Sequence, residues 1–361
     1  MAYVRNTWYV AAWAEDVVPG ALLARTILEE PIVLFRGDDG RAAALQDRCP
    51  HRFVPLSLGT VCGNARVRCA YHGLEFDASG TCVHNPNAEG RIPARARVRS
   101  YPLVEKHGAL WIWMGERSPD EAKIPDFSVF EQSDPALRMP RRCLKVGANF
   151  ELMTYNIMDL THTNTLHAGI LGNEDSFGFE IEAREEGDTL FLFRRMPNVR
   201  PMRVNQLMFR QDIARVDQWA HMRWNAPGCI LNDAGVCPPG ETIEQGTGLW
   251  GIHFLTPEDE RTTHYHFCAI LRNPMVRSPQ EAAVIEREMN ELRRIAFDEQ
   301  DKKVLEAQQR TVDRAGGMAA LREAVPLSTD ASTLRFRRIL DRLRETEEAL
   351  SVGGAQARPA A

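Results

Sequence analysis

Two short Cys-His pairs constrain the fold of this chain more than any other feature of its sequence. Cys49-Pro50-His51 and Cys69-Ala70-Tyr71-His72 are separated by 17 residues, and Pro or Gly flanks each pair. Strand-like sequence between them indicates that each pair lies in a loop. Two thiolates and two imidazoles could hold a tetrahedral zinc ion, or a 2Fe-2S cluster in which two His replace two Cys on one iron. The spacing alone leaves both metals open.

Length, charge and cysteine content limit the class of protein. The 361 residues suggest two domains at roughly 150 residues each. The net charge of −5 argues against a nucleic-acid partner bound through a general basic field. No apolar run approaches the roughly 18 residues that span a bilayer, so no membrane partner is expected. Eight cysteines without an export signal predict a cytoplasmic protein, where clustered Cys and His more often bind metal.

The patterning predicts an α+β chain, with a small all-β domain followed by a larger domain of strands and helices. The stretch from Asp47 to Gly115 is dense in Cys, His, Gly and Pro, as expected for short strands with loops. Alternating apolar residues predict strands between positions 178 and 272, and amphipathic helices follow from Ser278 to about Arg310 and from Ala331 to Leu350. We predict domains at 1–117 and 146–350, a Pro-punctuated linker at 118–145 and a disordered tail at 351–361.

A second group of polar residues lies in the segment NIMDLTHTNTLH, which contains Asn156, Asp159, His162 and His167. Asp159 and His162 are three residues apart and would share one face of a helix. His167 is five residues beyond His162, about 140° around a regular helix. The two imidazoles can therefore meet on one metal ion only if the helix ends or distorts near Thr163.

Together, these two segments resemble the Rieske non-heme iron oxygenases. C-P-H-R followed by C-x-Y-H-G is similar to the loops that bind the Rieske cluster, and N-x-x-D-L-x-H-x-x-x-x-H is similar to the mononuclear iron site. The first resemblance implies that Cys49 and Cys69 hold one iron of a 2Fe-2S cluster and that His51 and His72 hold the other. The second implies a mononuclear Fe(II) held by His162, His167 and a carboxylate, with positions left open for oxygen.

The third iron ligand must be an acid far downstream. Asp301 lies on an apolar stripe with Phe297, Val304 and Leu305. Asp298 has Arg294 and Lys302 four residues away on either side, which is typical of a solvated ion-pair face. The family places its ligand Asp at an F-x-E-D or E-D-K run, and EQDKK stands here. We predict Asp301 as the ligand, with Asp298 as the alternative.

The same resemblance implies a role for Asp159. It would bond to His162 on one side and to His72 of the partner subunit on the other, so that electrons cross between the two centres in a ring-shaped homotrimer. A carboxylate behind a ligating His is physically reasonable. The alternative is an acid on the helix surface.

Three further polar residues are candidates for the substrate pocket. Asn232 in CILND and His253 in GIHFLTP lie among apolar strand positions. Each could donate a hydrogen bond to a substrate carboxylate or phenol, or satisfy a local backbone group. Asn156 lies one turn before Asp159 and would lie in the pocket or behind the iron ligands.

A literal G-x-G-x-x-G at Gly246, Gly248 and Gly251 does not predict a dinucleotide site. Such a site needs a helix after the glycines, whereas the strand-like WGIHFLTP follows here. Reducing power must therefore come from another protein.

The resemblance implies the oxygenase component of a two-component system with O2 and a small aromatic substrate, served by a separate flavin- or ferredoxin-type NAD(P)H-dependent reductase. The start NTWYVAAWA, the D-L-x-H segment and the single-subunit layout are most similar to vanillate O-demethylase oxygenases and related aromatic-acid monooxygenases. The implied fold is a small all-β Rieske domain followed by an antiparallel-sheet catalytic domain with long helices of the helix-grip type.

Other functions stay open at the level of sequence. Ring dihydroxylation, methyl hydroxylation of an aromatic sulfonate and cleavage of a diaryl ether would all use the same iron site. A non-catalytic electron-transfer protein would keep only the first metal centre, and a zinc protein would have two structural sites.

Overall fold

The computed structural model describes residues 3–63, 65–209 and 212–355. The chain divides into two compact units. One unit runs up to Ser128 and includes Thr256–Asp259, and the other begins at Val129.

The first unit is built from antiparallel strands, and its described residues form three small sheets. Strands β1 and β11 consist entirely of buried residues, because both faces of this apolar pair are covered. The sheet orders are β1-β11-β10, β2-β3-β4-β9 and β5-β6-β7-β8. The strands are β1 Trp8–Trp13, β2 Leu22–Ile27, β3 Glu30–Arg36, β4 Ala42–Gln46, β5 Thr60–Cys62, β6 Arg66–Arg68, β7 Glu75–Phe76, β8 Cys82–His84, β9 Ser100–Tyr101, β10 Leu103–Lys106 and β11 Ala109–Trp113.

The two Cys-His loops lie next to strands of the sheet β5-β6-β7-β8. One loop precedes β5, and the other connects β6 to β7. A cluster of buried side chains that includes Leu56, Val67 and Phe76 lies beneath both loops and also contains Cys49 and Cys69. The apolar core therefore fixes the base of each loop.

The second unit has one seven-stranded antiparallel sheet, in the order β12-β18-β17-β16-β15-β14-β13. Its long strands alternate buried and partly exposed residues, as in Thr189–Val199, because helices cover one face. Three helices pack against the sheet around a core that includes Leu192, Trp224 and Phe267. They are α2 Phe150–Met158, α5 Lys302–Arg314 and α6 Ala331–Ala355. The strands are β12 Arg142–Val146, β13 Ile181–Glu186, β14 Thr189–Val199, β15 Val216–Asn225, β16 Cys229–Cys237, β17 Thr247–Asp259 and β18 Thr262–Arg272. The predicted α+β class is confirmed.

Six α-helices and one π-helix are present within the described residues. They are α1 Val129–Gln132, α2 Phe150–Met158, α3 Arg203–Gln206, α4 Pro279–Arg293, the π-helix Arg294–Asp301, α5 Lys302–Arg314 and α6 Ala331–Ala355. Side chains cap two of their N-termini. Asn149 accepts a hydrogen bond from the backbone of Glu151 at α2, and Ser278 accepts one from Glu281 at α4.

The π-helix corrects the prediction of one regular amphipathic helix after Ser278. A π-turn contains more residues than an α-turn, so it changes which side chains share a face. Asp301 and Leu305 are buried as predicted, whereas Val304 of the same predicted stripe is 45% exposed. Helix α6 also continues through Ser351 to Ala355, where disorder was predicted, and residues 356–361 of that predicted tail lie outside the described residues.

Within the described ranges, no helix combines the length and the apolar character needed to cross a membrane.

Candidate metal centres

The two Cys-His loops have the same backbone hydrogen bonds. The Cys49 amide donates to the carbonyl of Val54 and the Cys49 carbonyl accepts from the amide of Phe53. Cys69 makes the equivalent bonds to Leu74 and Gly73. Phe53 and Gly73 both have positive φ, 57° and 74°, at the same place in the turn. The sequence alone already grouped these loops, and their backbones are indeed alike.

The four candidate cluster ligands divide by exposure. Cys49 and Cys69 are each 2% exposed, whereas His51 lies on the surface and His72 is half-buried. The two imidazole centroids are 4.4 Å apart. Burial, and then the neighbouring Cys69 thiol, raise the pKa of Cys49 to about 11. Buried thiols and outward imidazoles therefore face one another at the tips of the two loops.

The spacing of these donors suits a cluster better than a single ion. Donors that share one zinc lie within about 4 Å of one another, because each is 2.0–2.3 Å from the metal. Across the part of the chain that the structure describes, three His, Cys or acidic donors meet within 4.8 Å only at His162, His167 and Asp301. The Cys-His loops do not meet that limit, which fits a larger two-iron group with two Cys and two His ligands.

The second centre brings together the three residues that the sequence predicts. The Nε2 atoms of His162 and His167 are 3.2 Å apart. An Asp301 Oδ1 atom lies 3.1 Å from Nε2 of His167 and 3.7 Å from Nε2 of His162. Three ligand atoms thus converge on one point, as two imidazoles and one carboxylate do in a facial iron site.

The two imidazoles can meet because helix α2 ends before His162. Helix α2 ends at Met158, and a short 3-10 helix, His162–Asn164, follows. Without that end, His162 and His167 would point about 140° apart. The condition under which the two imidazoles can meet on one ion, that the helix ends or distorts, is therefore met.

Each of the three converging side chains has a second partner that orients it. Nδ1 of His162 lies 2.6 Å from the carbonyl of Asp159, and Nδ1 of His167 lies 2.7 Å from Oε1 of Gln300. Asn156 donates from Nδ2 to Oδ1 of Asp301 at 3.0 Å. An acceptor at Nδ1 places the proton there and leaves Nε2 as the metal-binding atom.

Burial and charge oppose each other at the two imidazoles. Burial is the largest cause that lowers the pKa of His162, although Asp301 and Asp159 act against it. Burial also lowers the pKa of His167, but the hydrogen bond and charge of Asp301 outweigh it and raise the pKa overall. Asp301 itself is 6% exposed, and a carboxylate at that depth needs a cation or strong donors. The site therefore fits a divalent metal.

Asp159 differs from its predicted position. It follows the last residue of α2 and therefore does not share a helix face with His162. Its carbonyl rather than its carboxylate contacts Nδ1 of His162, and Oδ2 lies 3.8 Å from that atom. The carboxylate instead accepts from the backbone and hydroxyl of Thr161.

Asp298, the alternative ligand, is not part of the converging group. It forms an ion pair with Arg142 at 2.5 Å, which replaces the predicted pairing with Arg294 and Lys302. Arg294 pairs instead with Glu291 and Glu299.

A cavity of about 120 Å³ lies against the second centre. Asn156, Asn232 and His253 line it together with apolar residues of the sheet and of the α4–π segment. Nδ1 of His253 bonds to the hydroxyl of Tyr265 at 2.7 Å. Burial, with the nearby charge of Arg293, lowers the pKa of His253 to about 3. The Oδ1 atom of Asn232 is buried, with no hydrogen-bond partner among the described residues.

Gly246 immediately precedes strand β17, and Gly248 and Gly251 lie in that strand, which pairs with β16. A Cβ on Gly248 would lie 2.1 Å from the carbonyl oxygen of Ala234, and one on Gly251 would lie 2.9 Å from Nε2 of His253. Gly248 therefore allows strands β16 and β17 to approach closely, and Gly251 leaves space beside His253. The glycines are followed by a strand and not by a helix.

Two family matches cover most of the chain. Residues 7–102 match the Rieske [2Fe-2S] domain, and residues 146–346 match the vanillate O-demethylase oxygenase C-terminal domain. The first match decides between zinc and iron–sulfur at the Cys-His loops. The second excludes a protein that only transfers electrons.

Individual proteins are similar to this chain over nearly its full length. The chain is 38% identical to the dicamba O-demethylase oxygenase component of Stenotrophomonas maltophilia, covering 97% of this chain and 100% of that protein. It is 36% identical to a putative toluene-4-sulfonate monooxygenase iron-sulfur subunit of Comamonas testosteroni, over 95% and 98% of the two chains. The crystal structure of dicamba monooxygenase bound to 3,6-dichlorosalicylic acid superposes with a TM-score of 0.86 at 36% identity, over 97% and 100%.

The loops, the converging triad and these matches lead to one assignment. The chain belongs to the Rieske non-heme iron oxygenases, as a monooxygenase component that carries a 2Fe-2S cluster and a mononuclear iron and takes its electrons from a separate reductase.

Proposed function

We propose that this oxygenase demethylates or hydroxylates a small aromatic acid of the methoxybenzoate type. His162, His167 and Asp301 would hold the mononuclear Fe(II), and Cys49, Cys69, His51 and His72 would hold the cluster. When bound, the cluster supplies single electrons and the iron supplies oxygen activation. The observation that carries the proposal is the convergence of the three ligand atoms at the wall of a mostly apolar cavity.

The cavity lining supports an aromatic substrate with few polar groups. Phe297, Met289 and Leu249 contribute apolar surface, against which a ring can pack. Asn232 and His253 supply the polar contacts. The related proteins act, by name, on dicamba and on toluene-4-sulfonate, both aromatic compounds.

His253 would act as a neutral hydrogen-bond partner. Its low pKa keeps the ring uncharged near neutral pH, and burial also raises the pKa of Tyr265, which keeps that hydroxyl protonated. When Tyr265 donates to Nδ1, the proton of His253 is on Nε2. Nε2 lies on the side of Gly251, another lining residue, so it can donate to a carboxylate or phenol in the cavity.

Methyl hydroxylation of an aromatic sulfonate is the second candidate. The 36% identity to the Comamonas testosteroni protein favours it. The same metal centre and cavity would serve both reactions, because each begins at a C–H bond of a methyl group on an aromatic compound.

For electron delivery, we propose a ring-shaped homotrimer in which Asp159 bridges His162 and His72 of the partner subunit. The Asp159 side chain is 38% exposed, which leaves it accessible to a second chain. It also lines a separate surface cavity with Val325 and Leu334, which are 84% and 55% exposed. Apolar side chains this exposed support a protein contact.

We also propose a cytoplasmic location for this reaction. All eight cysteines lie among the described residues, and none of them forms a disulfide. Cysteines that are not joined in disulfides are typical of a reducing compartment, and such a compartment also contains the reduced nicotinamide that the reductase needs.

The test is a panel of methoxybenzoates and 4-toluenesulfonate, supplied with O2 and a reductase from a related system. Formaldehyde release from a methoxybenzoate, with one oxygen atom of labelled O2 in the formaldehyde and none in the phenol, would support the demethylase. A hydroxymethyl product from the sulfonate alone would select the second candidate. His162→Ala should keep the visible cluster spectrum and lose all turnover. Oxygen-dependent turnover that is unchanged in His162→Ala would contradict the proposed site.

A further inference from the structure

Arg293, the last residue of α4, is a buried cation beside the cavity. It is 7% exposed and is part of the cavity lining. Its Nη1 and Nη2 atoms are both buried, and neither has a hydrogen-bond partner among the described residues. The guanidinium stacks on the ring of Phe267, 5.1 Å from its centroid, which stabilises the charge but does not satisfy the N–H groups.

A buried guanidinium whose Nη atoms have no hydrogen-bond partner is stabilised by binding an anion. Burial lowers the pKa of Arg293, yet an arginine side chain stays protonated in proteins. A buried charge without a partner is strongly unfavourable. The free N–H groups form a planar fork that matches the oxygens of a carboxylate or a similar oxyanion.

The neighbouring acids give the Nη atoms of Arg293 no hydrogen bond. The charge of Asp298 acts on Arg293, but Oδ2 of Asp298 accepts from Arg142 and its buried Oδ1 has no hydrogen-bond partner among the described residues. Asp301 contacts the two imidazoles and Asn156. Arg294, next in sequence, shows the opposite environment, since it is 42% exposed and pairs with Glu291 and Glu299. Of these two adjacent arginines, only Arg293 lines the cavity, and its two Nη atoms bond to no acid among the described residues.

We propose that Arg293 binds the anionic group of the aromatic substrate and thereby selects acids over neutral rings. The inference rests on the proposed function, since it concerns the same cavity. Arg293 and His253 both line the cavity, Arg293 on the ring of Phe267 and His253 against Phe297, and these two rings contact each other with centroids 5.2 Å apart. The anion would therefore lie in the part of the cavity that Arg293 and His253 line. A carboxylate and a sulfonate both satisfy this chemistry.

Binding measurements on the iron-loaded enzyme without O2 test the inference independently of turnover. The probes are vanillate against vanillamide, and 4-toluenesulfonate against 4-toluenesulfonamide, with dissociation constants from calorimetry. The wild-type enzyme should prefer at least one anion over its neutral partner. Arg293→Gln should weaken that anion about 100-fold and leave the neutral compound within about twofold. The anion that loses affinity identifies carboxylate or sulfonate as the ligand.

Two further variants make the test specific. Arg294→Gln removes the adjacent, ion-paired arginine and should leave every dissociation constant unchanged. Arg293→Lys keeps the charge without the fork and should show an intermediate loss, which provides the measurement if Arg293→Gln does not fold.

Three outcomes would overturn the role of Arg293: no anion preference in the wild-type enzyme, equal loss of the acid and the amide, or no loss in either Arg293 variant. Anion-selective binding without formaldehyde or a hydroxymethyl product would instead keep the inference and reject the proposed reaction.

Discussion

Asn156 donates from its side-chain amide to Oδ1 of Asp301 at 3.0 Å, although the two residues are 145 positions apart in the chain. The bond links helix α2 to the π-helix at the atom that also faces both imidazoles. Asn156 therefore sets the rotamer of the candidate iron ligand.

Removing that donor should weaken iron binding and leave the cluster intact. We expect Asn156→Ala to reduce mononuclear iron affinity about 10- to 100-fold, as is typical when a partner of a metal ligand is lost. Iron analysis after dialysis against a chelator measures the change, and the visible cluster spectrum of the same sample is the internal reference. Full iron retention would remove Asn156 from this role.

Gln300 should act on the other side of the site by fixing His167. Its Oε1 accepts from Nδ1 of His167, so Nε2 is left without a proton and free to bind metal. Gln300→Leu removes the acceptor and should lower iron occupancy, whereas Gln300→Glu keeps an acceptor and should preserve it. Chelator titration of both variants makes the comparison, and equal occupancy in the two would argue against control of the tautomer.

Substitution of the two candidate acids of the π-helix should have different effects on iron binding. Asp301→Ala should lose mononuclear iron, because it removes a buried oxygen that faces two imidazoles. Asp298→Ala should keep iron and cost about 1 kcal/mol of unfolding free energy, since it breaks only a partly exposed ion pair with Arg142. Metal analysis and urea unfolding test both statements. Loss of iron in Asp298→Ala alone would reverse the assignment.

The sequence predicts the local parts of both centres, and the structure supplies the long-range ones. The Cys-His loops and the pair His162 and His167 lie within short segments, so spacing and turn residues are enough to group them. Gln300 was missed because it meets His167 across 133 residues. The EQDKK run, which contains Gln300 in place of the acid of E-D-K, was the signal that could have found it.

The π-helix explains two further differences from the predicted pattern. A 3.6-residue period cannot show where the helix widens, so Val304 was placed on the buried stripe but is exposed. Arg293, immediately before the π-helix, is charged, and residues of this type are mostly exposed. Only the packed structure shows that it is buried against Phe267.

Asp159 offers a test of electron delivery that leaves the metals in place. Its carboxylate bonds to Thr161 and lies 3.8 Å from Nδ1 of His162. We expect Asp159→Asn to keep both metals and to slow transfer from the cluster to the iron site by at least about tenfold, since the charge between the centres is lost. Single-turnover reduction with freeze-quench spectroscopy measures that step. Transfer at the wild-type rate would show that Asp159 is not the bridge.

His253 should make stability depend on pH in a defined direction. Burial lowers its pKa to about 3 in the folded protein, against about 6.5 in the unfolded chain. The folded state therefore binds fewer protons between these values. The contribution of His253 is fully present above pH 6.5, and it falls by about 1.4 kcal/mol per pH unit below that value. Urea unfolding followed by tryptophan fluorescence at pH 7, 6 and 5 should show a steeper loss in the wild-type protein than in His253→Gln, which cannot titrate. Parallel curves for the two proteins would mean that His253 is solvated and charged in the folded state, and it would then not be the neutral donor proposed for the cavity.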